Sequence, residues 1–141
     1  MDSKGKTYVT VEVTVNAPVE KVWQYWTSPE HIIKWNNASD DWHTPYSEND
    51  LRVGGKFLSR MEAKDGSSAF DFTGTYDDVL INELIAYKIA DGRQVKIIFT
   101  PSGKGCKVSE TFETESIHSE ELQRNGWQAI LNNFKEYVET N

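Results

Sequence analysis

The sequence predicts an α+β fold, an antiparallel sheet of about seven strands with two short helices after the first strand and a long helix at the C-terminus. Three observations carry this. An alternating apolar segment opens the chain, glycine-bearing turns punctuate its middle at regular spacing, and the residues after Ser119 are apolar along one stripe.

Val9, Val11, Val13 and Val15 alternate with Tyr8, Thr10, Glu12 and Thr14, which is the period of a half-buried strand. Asn16, Ala17 and Pro18 end it, and proline suits the first turn of the helix that Val19, Val22, Trp23 and Trp26 mark at helical spacing. That helix ends near Ser28-Pro29, and residues 30–35 add one helical turn or two. Residues 36–46, rich in Asn, Asp and Ser and bracketed by Trp35 and Trp42, read as an irregular loop.

From residue 50 onward the pattern is β. The double glycine at 54 and 55 marks a tight bend or bulge before a strand over 56–61. Asp65-Gly66 predicts a hairpin into a strand that carries Phe70, Phe72, Gly74 and Tyr76 on one face. Residues 84–89, 94–100 and 106–113 follow as strands, separated by turns at Asp91-Gly92 and at residues 101–105. Ser119 is placed to cap the last helix, with Glu120 and Glu121 at the positive end of its dipole. Its apolar stripe is Leu122, Trp127, Ile130, Leu131, Phe134 and Val138.

The 141 residues fit one domain over 1–141, with 1–6 as a flexible tail, and show no internal repeat. A hydrophobic fraction of 38% is modest, but five Trp, six Tyr and six Phe supply bulky core material. A net charge of −7 with scattered basic residues excludes a phosphate-binding surface, so no nucleic acid is expected as partner. No apolar run approaches membrane-spanning length and residues 1–6 lack a signal-peptide pattern, so membrane insertion is not expected and the location is expected to be cytoplasmic. Cys106 stands alone, which rules out an intramolecular disulfide and a cysteine-based zinc site.

Four segments resemble a known family: Val-Asn-Ala-Pro-Val-Glu-Lys-Val-Trp at 15–23, Asp-Leu-Arg-Val-Gly-Gly-Lys-Phe at 50–57, Gly74-Thr75-Tyr76 and Gly126-Trp127. The resemblance is to the activator of Hsp90 ATPase homologue family of the START-like (SRPBCC, birch-pollen-allergen-like) superfamily, and runs from about residue 8 to the end. It implies the helix-grip fold, in which a curved antiparallel sheet wraps the C-terminal helix around an apolar cavity. The superfamily includes lipid and hormone carriers, polyketide aromatase/cyclases and chaperone regulators, and fold alone does not choose among them. Eukaryotic Hsp90 activators also carry a further N-terminal domain, to which nothing in these residues corresponds.

On this fold, Trp35, Trp42, Phe70, Phe72, Trp127 and Phe134 are the aromatic residues expected to face a ligand, the first two flanking the loop at the cavity mouth. The remaining aromatics are expected to fill the core. Glu110 shares a period-two face with Cys106, Val108 and Phe112, so an inward carboxyl there would have a raised pKa and would anchor or protonate a ligand. The alternative is a one-residue register break that turns it to solvent. Tyr76 and Arg52 are further polar candidates, although for Arg52 a structural ion pair with Asp50 or Glu48 is the favoured reading.

His31, His43 and His118 lie too far apart to suggest a metal site, and no metal or cofactor is expected. No Ser-His-Asp order, phosphate loop or HExxH motif is present, so no catalytic residue is assigned. The leading expectation is binding of a small apolar or amphipathic molecule without catalysis. A cyclase- or hydrolase-type enzyme is the first alternative. An Hsp90-activator-like module that meets a protein partner through the outer sheet face or the 36–49 loop is the second.

Overall fold

The computed structural model describes residues 6–141, so the expected tail over 1–6 lies, apart from Lys6, outside the described residues. The element order is β1 (Tyr8–Val15), α1 (Val19–Thr27), α2 (Pro29–Trp35), β2 (Trp42–Asn49), β3 (Lys56–Ala63), β4 (Ala69–Leu80), β5 (Leu84–Ile89), β6 (Gln94–Ser102), β7 (Gly105–Glu113) and α3 (Glu120–Thr140). All seven strands form one antiparallel sheet in the order β1-β7-β6-β5-β4-β3-β2. The sheet curls into a half-barrel around α3, which is the helix-grip fold. The two short helices follow the first strand and bridge from one sheet edge to the other, with α2 against β2 and α1 against β6 and β7.

Burial follows the pleat. On β7 the inward set is Cys106, Val108, Glu110 and Phe112, on β6 Val95, Ile97 and Phe99, and on β5 Ile85, Tyr87 and Ile89. Leu131, Phe134 and Val138 of α3 are wholly buried against this face. The Ser119 side chain accepts a hydrogen bond from the Leu122 amide at 3.1 Å and caps α3.

Two sequence expectations are corrected here. The region expected to be a loop over 36–46 is strand from Trp42 onward, paired with β3 through a register shift between His43 and Tyr46. Pro45 sits inside that shift on the outermost strand, where its missing N–H breaks no ladder, so its presence did not forbid a strand. Leu122, expected on the buried stripe, is 56% exposed. The first turn of α3 meets the connection from β7 rather than the sheet, and the inward position there is Gln123. Its amide donates to the carbonyls of Glu115 and His118 at 3.0 and 2.9 Å, and its oxygen accepts from the Glu115 amide at 2.9 Å.

The Asp50–Gly55 segment turns back on itself and docks on β4. The Gly54 amide donates to the Tyr76 carbonyl at 2.8 Å, and the Gly55 carbonyl accepts from the Tyr76 amide at 2.9 Å. A Cβ at Gly55 would lie 2.0 Å from the Asp50 carbonyl oxygen, so the fold-back requires glycine there. The double glycine thereby fixes the backbone of Tyr76, whose side chain points to the concave side.

Candidate functional site

Between the concave face and the helices lies a cavity of about 240 Å³. Trp26, Ile32, Trp35 and Asn36 wall it from the α1–α2 side, and Trp127 and Ile130 from α3. The sheet contributes Phe57, Ser59 and Met61 from β3, Phe70, Phe72 and Tyr76 from β4, Ile85 and Tyr87 from β5, and Glu110 from β7. Ser47, Glu48 and Asn49 of β2 complete the rim.

The aromatic walls are interlocked. Trp127 stacks on Phe112 with centroids 4.2 Å apart and meets Phe72 edge-on at 6.4 Å. Phe57 touches Phe72, Tyr76 and Tyr87 with centroid separations of 5.7, 5.4 and 4.8 Å. Gly74 makes room for this cluster, since a Cβ there would fall 2.5 Å from the Phe57 ring.

The polar groups divide into satisfied and unsatisfied. The Tyr76 hydroxyl donates to Asn49 Oδ1 at 2.6 Å, and Asn49 Nδ2 donates to the Thr27 carbonyl at 2.7 Å, which ties β4 through β2 to the end of α1. Burial raises the Tyr76 pKa, and the Asn49 contact offsets part of that rise. Glu110 is 5% exposed and, among the described residues, its carboxyl has no hydrogen-bond partner. Desolvation pushes its pKa up to about 8, so it is mostly protonated at neutral pH. The Tyr87 hydroxyl is likewise buried and unpartnered among the described residues. Its pKa is raised well above the ordinary value, first by burial and then by the Glu110 charge.

Of the residues expected to face a ligand, Trp35, Phe70, Phe72, Tyr76, Glu110 and Trp127 line the cavity, and three do not. Phe134 is wholly buried behind the wall, with Trp26 and Trp35 at 4.9 and 4.8 Å, because it lies one helical step further into the core. Trp42 lies outside the lining and packs near Phe70 at 6.0 Å. Arg52 projects into solvent with its Nε 3.0 Å from Asp50 Oδ2, while its neighbour Leu51 packs inward against the core. Phe57 and Tyr87, members of the aromatic set that could line the cavity but expected in the core, are wall residues, as are Asn36 and Asn49, which the sequence did not single out. Tyr87 was detectable, since it shares a period-two face with Ile85 and Ile89. Among the described residues no three His, Cys, Asp or Glu side chains gather as metal ligands, and no helix is long and apolar enough to cross a membrane.

Comparison with known proteins bears on this arrangement. Residues 16–139 match the family described as Activator of Hsp90 ATPase homolog 1-like protein. The chain belongs to this family. An AHSA1-like protein from Aeromonas hydrophila, solved in solution, is 44% identical with a TM-score of 0.89, over 95% of this chain and 93% of that one. A protein from Cytophaga hutchinsonii is 55% identical with a TM-score of 0.82, over 94% and 92%. One from Nitrosomonas europaea is only 19% identical yet superposes with a TM-score of 0.84 over 99% and 97%, a likeness of fold alone. No curated protein matches the chain. The family and the AHSA1-like, START-like fold are therefore established by both sequence and structure.

Proposed function

We propose that this AHSA1-like chain binds a small, mostly apolar molecule in the cavity between α3, the α1–α2 pair and the concave sheet. The observation that carries the reading is the partly open cavity itself: a gap of about 240 Å³ is left between aromatic walls where close packing would normally leave none. Affinity would come from apolar burial and orientation from the few polar groups on the wall. An amide and indole NMR titration against a pool of fatty acids, sterols and fused-ring aromatics tests it. Saturable shifts at Trp35, Trp127 and the residue 70–76 strand support the reading; an intact spectrum that no compound moves refutes it.

A second reading, an enzyme that transfers a proton to or from the bound molecule, is favoured by one observation. Glu110 is a buried carboxyl whose pKa, at about 8, lies near neutrality inside the same cavity. A bound ligand that exchanges a carbon-bound hydrogen with solvent only when Glu110 is present would support it, and exchange unchanged in Glu110→Gln would remove it.

A further inference from the structure

This inference rests on the cavity reading and concerns what the inner wall recognises. Glu110 is flanked across the sheet by Val11 and Ile97, with Ile85 beyond, so its row on the concave face is otherwise aliphatic. An aliphatic residue would continue that row at no electrostatic cost. A carboxyl without a partner weakens the fold, and the site retains one. Tyr87 presents the same anomaly two strands away. Its hydroxyl is buried and free among the described residues, whereas that of Tyr76, with ring centroid 6.3 Å off, is taken up by Asn49.

The geometry points to a recognition site in which Glu110 and Tyr87 both donate hydrogen bonds to the carbonyl oxygen of a neutral, otherwise apolar ligand. Protonation states support this polarity. Burial keeps Glu110 protonated at neutral pH, where a tyrosine is protonated in any case, so each offers an O–H and neither offers a charge. The other titratable groups facing the pair are Tyr76 on β4, neutral at this pH like any tyrosine, and Glu48 at the β2 rim; Arg93 acts weakly on Tyr87. Among the described residues no Lys, Arg or His lines the cavity, so no cation stabilises a Glu110 carboxylate from within. A ligand amine would have to do so itself, against the desolvation that holds the carboxyl neutral.

Three near-isosteric probes separate the possibilities: acetylnaphthalene, ethylnaphthalene and naphthylethylamine, titrated into the full chain on both sides of the Glu110 titration. The ketone is expected to bind about tenfold tighter than the hydrocarbon. Its affinity should be level below the titration and fall above it, as the donor proton is lost. Glu110→Leu, an aliphatic residue in an aliphatic row, and Tyr87→Phe should each remove most of the ketone's advantage while leaving ethylnaphthalene bound. Glu110→Gln should keep the advantage and lose the pH dependence. Equal binding of ketone and hydrocarbon overturns this inference and leaves the cavity reading standing. Tightest binding of the amine, strengthening as pH rises, overturns it in favour of a cation site. If none of the three moves the Trp127 or Tyr87 signals, this inference falls, and the cavity reading falls with it only if the fatty acids and sterols leave those signals unmoved as well.

Discussion

The indole of Trp127 lies flat on the ring of Phe112, centroids 4.2 Å apart and planes 8° from parallel. One residue belongs to α3 and the other to β7, so the stack clamps the helix to the sheet beside the cavity. Trp127→Ala removes the clamp and enlarges the cavity, and is expected to cost about 2–4 kcal/mol. The urea midpoint reports it. A loss below about 0.5 kcal/mol would show that the stack contributes only contact, not support.

Glu110 makes stability depend on pH in an unusual direction. Its pKa rises from 4.5 to about 8 on folding, so between those values the native state binds the proton that the unfolded chain has released. Stability from this group is therefore full below the lower value and lost as pH climbs to the upper, at up to about 1.4 kcal/mol per pH unit. Glu110→Gln should flatten that slope, read as the difference between the two proteins' urea midpoints across the window. Parallel curves would mean that the carboxyl is hydrated after all.

Removing one hydroxyl should separate the two cavity tyrosines. Tyr76→Phe breaks the link through Asn49 to the Thr27 carbonyl and is expected to destabilise by about 1 kcal/mol. Tyr87→Phe deletes a buried hydroxyl that bonds nothing among the described residues, and should be neutral or slightly stabilising. Thermal melts of the pair suffice. A larger loss at Tyr87 would reveal a partner for its hydroxyl.

Gly74→Ala should act on the cavity through Phe57, because the added methyl would overlap the ring at 2.5 Å and the Lys88 carbonyl at 2.6 Å. A cost of about 1–3 kcal/mol is expected, with chemical-shift changes at Phe57, Tyr76 and Tyr87. Shifts confined to β4 would show that the ring yields without disturbing its neighbours.

The parts of the fold legible in the sequence are those where one residue type repeats at one spacing. The valines of β1, the glycine-bearing hairpins from β3 to β7 and the apolar stripe of α3 after its first turn are of this kind. β2 was illegible because an edge strand with a register shift over a proline has neither two-sided burial nor strict alternation. Glu110 was legible only as a choice between two faces: period two pointed it inward, but the rarity of unpartnered buried carboxyls weighed for a register break to solvent, and β7 runs through it without a break. Arg52 was legible as an ion-pair residue, since carboxylates stand beside it in sequence and it pairs with Asp50 at 3.0 Å on the outer surface. The cavity wall was legible only in part, as the depth of Phe134 and the inclusion of Phe57 depend on how far the sheet curls, which no local pattern encodes.

The pairing of β1 with β7 joins Tyr8 to Glu113 across nearly the whole chain, while every other ladder in the sheet links neighbours in sequence. During synthesis from the N-terminus, β1 therefore emerges first and finds its partner last. The hairpins from β2 to β7 can zip locally as they leave the ribosome, but the half-barrel cannot close until β7 is available. Through that interval the first strand, Tyr-Val-Thr-Val-Glu-Val-Thr-Val, is an unpaired β-rich edge, and the charge at Glu12 is its one built-in guard against pairing with the wrong chain.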